Sequence, residues 1–96
     1  MNISVLSTDL FDKSRFPSDT TFINSFDEVS DLCDLLIVDI DKFDNFPKIN
    51  DKKIKLVGYG SHVNKQAFES ALSYGFDQVM PRSQFFSQID KIIADL

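Results

Sequence analysis

Asp34-Leu35-Leu36-Ile37-Val38-Asp39 is the stretch on which the fold turns. Four apolar residues, two of them β-branched, run unbroken between two acids, and no longer apolar run occurs in the chain. A strand with one wet face alternates apolar and polar residues, whereas a strand covered on both faces reads as a continuous apolar run. Four residues are too few for a buried helix and far below the roughly 18 that a membrane span needs. The stretch therefore reads as a central strand of a parallel sheet with helices on both faces.

The neighbouring segments agree with this. Ile3-Ser4-Val5-Leu6 is a short strand followed by the loop residues Ser7-Thr8-Asp9. Leu10 to Phe16 has room for about two helical turns before Pro17 stops it. Thr20-Thr21-Phe22-Ile23 is a second brief strand. Ser25 and Glu28 have the spacing of a capping box, with Phe26, Val29, Leu32 and Cys33 at helical spacing behind them. Residues 40–52 lack sustained periodicity and read as a loop with about one helical turn. Ile54-Lys55-Leu56-Val57 is a strand that Gly58-Tyr59-Gly60-Ser61 is expected to end. Ala67, Phe68, Ala71 and Leu72 mark one helix face, and Gly75 stands where a left-handed C-cap belongs. Phe76 to Met80 gives the last strand. Phe85, Phe86, Ile89, Ile92, Ile93 and Leu96 form the apolar stripe of one terminal helix. Strand and helix alternate, which predicts an α/β fold: a five-stranded parallel sheet between helices, in the flavodoxin-like order 2-1-3-4-5, with short first and third crossovers.

Composition narrows the functional classes. The 96 residues suit a single domain, residues 1–96, and are 43% hydrophobic and 26% charged. Net charge is −5, and 13 of the 15 acids are Asp. That balance argues against nucleic acid, whose phosphates need a basic face. The single cysteine, Cys33, excludes an internal disulfide and any multi-cysteine metal site. No basic residue precedes Lys13 and no apolar stretch follows the start, so no signal peptide and a cytoplasmic, membrane-free protein are expected.

Ligands of open α/β sheets bind beyond the carboxyl ends of the strands. Those ends carry Ser7, Thr8 and Asp9, then Asp39 and Asp41, then Gly58, Gly60, Ser61 and His62, and finally Arg82 and Ser83. Gly60-Ser61-His62 leads into a helix, and with Arg82 and Ser83 alongside it makes a candidate anion-binding site. The bland alternative is Ser61 as N-cap and His62 on the surface. Gly58-Tyr59-Gly60 opens like a dinucleotide fingerprint, but Val63 stands where the third Gly belongs and the motif follows the wrong strand. Asp39-Ile40-Asp41-Lys42-Phe43-Asp44 lacks the Gly and Glu of a calcium loop. An enzyme is not expected: Cys33 falls away from His62, and neither Ser7 nor Ser61 has a nucleophile-elbow motif. Phe11, Phe16, Phe43 and Phe46 lie in loops or short turns, where they either plug the core or form a docking patch.

Two segments, Asp34-Leu35-Leu36-Ile37-Val38-Asp39-Ile40 and Ala71 to Arg82, carry a resemblance that extends over nearly the whole chain. The chain resembles the receiver domains of response regulators, the phospho-acceptor modules of two-component signalling. The stretches Gly58 to Val63, Pro81 to Phe86 and Asp9 to Arg15 are similar to small stand-alone receiver-like proteins. The resemblance implies Asp39 as the phospho-acceptor candidate and Asp9 with Asp39 as ligands of Mg2+, their usual acidic pair being reduced to Thr8-Asp9. It puts Gly60 followed by Ser61 where receivers carry Ser or Thr, Arg82 at the invariant Lys, Ser83 at the Pro after it, and Val79 at the aromatic switch. Arg keeps the charge of Lys and changes its shape. The sequence therefore resembles an atypical, partly disarmed receiver without catalysis. Its expected partner is a protein, a regulator or kinase, docking through the helix after the fourth strand, the last strand and the last helix. A homodimer through the last helices is one such arrangement. The alternatives are phospho-acceptance at Asp39 with Mg2+ and anion binding at Ser61 and Arg82.

Overall fold

The computed structural model describes residues 2–7, 10–43, 54–61, 63 and 65–95. Strand β3 (Leu35–Asp39) lies in the middle of the sheet with every residue buried. Around it stand β1 (Ile3–Leu6), β2 (Thr21–Ile23), β4 (Lys55–Gly60) and β5 (Gln78–Pro81), in the order β2-β1-β3-β4-β5. All four pairings are parallel, with Leu6 opposite Val38, Asp39 opposite Tyr59, and Tyr59 opposite Met80. The order expected from strand–helix alternation is the one observed.

Period-2 alternation divides the core into two apolar clusters. The first contains Ile3, Val5, Leu35, Ile37, Val57, Tyr59 and Met80, packed against Phe16, Phe85, Phe86, Ile89 and Ile92. The second contains Leu6, Leu36, Val38, Leu56, Ile40 and Phe76, packed against Ala71. The helices follow the same division. Helices α3 (Arg82–Ser87) and α4 (Ile89–Ala94), with Phe16 beyond α1 (Leu10–Lys13), cover the first face. Helix α2 (Lys65–Tyr74) covers the second. Aromatic rings dominate the first face: Tyr59 stacks on Phe85 at 4.8 Å between centroids, and Phe16 meets Phe86 edge-on at 5.5 Å. Each such pair is worth about 0.5–1.5 kcal/mol beyond the area it buries.

Helix α2 ends as expected. Gly75 has φ +122°, and its N–H and that of Phe76 return to the Leu72 and Ala71 carbonyls as a Schellman cap. Several expectations are corrected. The helix expected over Leu10 to Phe16, before Pro17, is only α1, four residues long. The capping box forms, with the Glu28 carboxylate accepting the Asn24 and Ser25 amides, yet it caps only a 3-10 turn over Phe26–Glu28. Val29 is already extended and Leu32 is 73% exposed, so the second helix is absent. The crossover from β2 to β3 is made instead by the 3-10 turn, the extended Val29 and a turn in which the Cys33 amide donates to the Ser30 carbonyl. Strand β4 does not stop at Val57 but runs through Gly58 and Tyr59 to Gly60. The terminal helix is two helices broken at Gln88, and Leu72 on α2 is exposed rather than packed. Phe16 is buried and Phe43 packs on the second face, while Phe46 lies outside the described residues, as does most of the loop read over 40–52. Among the described residues no helix is long and apolar enough to cross a membrane.

Candidate functional site

On the first face, the inward rows of β1, β3, β4 and β5 each lead to a polar residue at the carboxyl end. Ile3 and Val5 lead to Ser7, Leu35 and Ile37 to Asp39, Val57 to Tyr59, and Met80 to Arg82. The register places Asp39 beside Tyr59, so these residues converge. Asp39 is 2% exposed and Ser7 and Tyr59 are fully buried.

A fifth residue completes the cluster. Asp12, on α1, is 3% exposed. Its Oδ2 accepts the Tyr59 hydroxyl at 3.1 Å and also accepts from Nη2 of Arg82, which forms a salt bridge to it across 70 residues of sequence. With the Tyr59 proton committed to Asp12, the Ser7 side chain bonds to the Tyr59 oxygen. The Arg82 guanidinium lies 5.4 Å from the Tyr59 ring centroid and 5.9 Å from that of Phe86. A planar guanidinium can stack on rings and hydrogen-bond a carboxylate through its edge at once, which an ammonium cannot. Arg82 is therefore held from three sides.

The electrostatics follow from burial. Desolvation raises the Asp39 carboxyl above its ordinary value of 3.8, with Asp41 and Asp12 adding to the rise. The Asp41 amide, which donates to Asp39 Oδ1 at 3.1 Å, and the positive charge of Arg82 oppose it. Burial pushes the Tyr59 phenol far above its usual range, so it stays protonated and donates to Asp12.

Asp41 works differently. It is exposed, and its Oδ2 accepts the Ser61 amide at 2.6 Å, joining the ends of β3 and β4. Gly60 permits this approach: a Cβ there would stand 2.9 Å from Asp41 Oδ1 and 2.9 Å from Ile40 Cγ1. A hydroxyl-bearing side chain at position 60 has no room in this arrangement.

The structure thus brings Asp39 and Arg82 into one cluster, and places Gly60 and Ser61 on the Asp41 strap. Ser83 is exposed in the first turn of α3. Asp9 and His62 lie outside the described residues. An anion at Ser61 and Arg82 would have to displace the Asp41 carboxylate from one and the Asp12 carboxylate from the other. Among the described residues no three His, Cys, Asp or Glu side chains gather closely enough to hold a metal ion. The guanidinium already carries positive charge into the acidic cluster.

Ser7, Asp39 and Arg82 are among the residues that the sequence places at the strand ends, whereas Asp12 and Tyr59 join them only in the fold. Tyr59 was legible from alternation, two residues after Val57, had the glycines not been read as a break. Asp12 carried no local signal, because its partner is Arg82. Comparison with protein-family models, curated proteins and solved structures finds no match to this chain.

Proposed function

We propose that this chain is a cytoplasmic, atypical receiver-like signalling module that acts by protein–protein contact and has no catalytic activity of its own. The observation that carries this reading is the closed state of the cluster at the end of β3. Asp39 is buried within the electrostatic reach of Arg82, and Arg82 is committed to Asp12. A carboxylate that takes a phosphoryl group needs room for it and a counter-charge that arrives with it. Here Asp39 is 2% exposed, which leaves little room, and the counter-charge is built in and already paired with Asp12. The sheet order supports the receiver-like architecture. Its expected protein partner, a regulator or kinase, docks on the surface of α2, β5 and the last helices.

A titration with beryllium fluoride and millimolar Mg2+, followed by amide NMR, tests this. The expected result is no shift centred on Asp39. Shifts there that vanish in Asp39→Asn would establish the phospho-acceptor reading instead and overturn this one.

A further inference from the structure

The cations of this chain are distributed unevenly. It is acidic overall, at −5, and has only two arginines, Arg15 and Arg82. Both guanidiniums lie on one ring, that of Phe86, at 4.1 Å and 5.9 Å from its centroid. Lys13, two residues before Arg15, lies over Phe22 at 5.6 Å. Phe22 and Phe86 both touch Phe16, so the three cations line one aromatic floor. Among the described residues, the acidic side chain that ion-pairs with any of the three is Asp12, and its partner is Arg82. Arg15 is exposed.

Two features distinguish this region from ordinary solvated surface. Stacking fixes a guanidinium plane while leaving its edge donors outward, which suits bidentate recognition of a carboxylate and reduces the ordering cost of binding. Arg carried on aromatic rings is also the composition of interface anchors rather than of free surface.

We infer that the surface made by Lys13, Arg15 and the Phe86 floor docks an acidic segment of a partner protein. Charge complementarity selects the partner: a carboxylate pairs with the edge of Arg15, and Lys13 adds long-range attraction. The inference rests on the interaction reading above and adds to it the class of partner and a contact surface on α1. Arg82 contributes the second guanidinium without leaving Asp12.

The test is an amide NMR titration of the full chain with a synthetic 12-residue peptide rich in Glu, at low and high salt. Shifts are expected at residues 11–16 and 82–86, weakening at least fivefold between 50 and 300 mM salt. Arg15→Glu and, separately, Lys13→Glu should each weaken binding about tenfold, an effect of about 1.4 kcal/mol. Thermal unfolding of each variant verifies that it folds. Equal shifts from a Lys-rich peptide of the same length, shifts confined to other residues, or no shifts at all would overturn the inference. Self-association that Arg15→Glu abolishes without any peptide response would assign the surface to a second copy and also overturn it. None of these outcomes depends on the beryllium fluoride response, so this surface can fail while the receiver-like reading stands.

Discussion

The two faces of the sheet close differently at the same end. On the first face, the inward rows finish in Ser7, Asp39, Tyr59 and Arg82, and Asp12 on α1 completes a buried polar network. On the second face the rows stay apolar through Leu6 and Val38, and Ile40 closes them against Gly58, where an added Cβ would lie 2.9 Å from Ile40 Cγ2. One face is held by charge and hydrogen bonds, the other by close approach of backbone and side chain. Their failures should differ accordingly: a polar network fails when one member is left unpaired, whereas a packed face fails when volume changes.

Arg82→Ala should cause the largest loss. It leaves Asp12 buried without its cation, and breaking a buried pair on one side costs about 3–5 kcal/mol. The Arg82 side chain is 35% exposed, so solvent recovers part of this and about 2–4 kcal/mol is expected. Urea unfolding measures it. Removing both charges with Asp12→Asn and Arg82→Met should cost less than Arg82→Ala alone. If the double variant is the worse of the two, the ion pair is not what holds this face.

Next come Gly58→Ala and Gly60→Ala. At position 58 the new Cβ meets Ile40 and the Phe76 ring, at 2.9 and 3.1 Å, both buried and with little room to give. At position 60 it meets Ile40 and the Asp41 carboxylate. Overpacking of this kind costs about 1–3 kcal/mol. Gly60→Ala should also loosen the bond from the Ser61 amide to Asp41, which faster amide exchange at Ser61 would report. A Gly58→Ala variant as stable as the parent would show that the second face is not tightly closed.

The contrast explains what sequence could and could not disclose. The central run Leu35 to Val38, the strand Ile3 to Leu6 and the Gly75 cap were legible because their signals are local: an apolar run, a short strand pattern, a glycine at positive φ. The alternation that puts Asp39 inward was equally readable. Gly58 and Gly60 misled because a missing side chain looks the same at a turn as at a crowded strand, and only Ile40 across the sheet tells them apart. The capping box at Ser25 and Glu28 was real, but a cap begins a helix and cannot make the chain continue one. Asp12 was unreadable for another reason. Its burial depends on a partner 70 residues away, and the four residues of α1 give no amphipathic pattern to place it.

The smallest effect expected is the most specific to the polar face. Burial raises the Asp39 carboxyl above 3.8, so the folded chain holds that proton more tightly than the unfolded chain does. At a pH below the ordinary value both states are protonated, and Asp39 has no effect on stability through ionisation. As pH rises from that value through the raised folded one, the folded state must ionise a desolvated acid and stability falls, reaching a plateau above it. Asparagine has a similar shape, and its Oδ1 can still accept the Asp41 amide, so Asp39→Asn removes the ionisation without removing the hydrogen bond. The variant should therefore be the more stable of the two at pH 7, with the difference shrinking as pH falls toward 4. Urea midpoints at pH 4, 5, 6 and 7 measure this. A variant that is instead less stable than the parent at pH 7, by a gap that closes on acidification, would mean that Arg82, not desolvation, governs Asp39, and that the two carboxylates share one cation more evenly than the geometry around Asp12 implies.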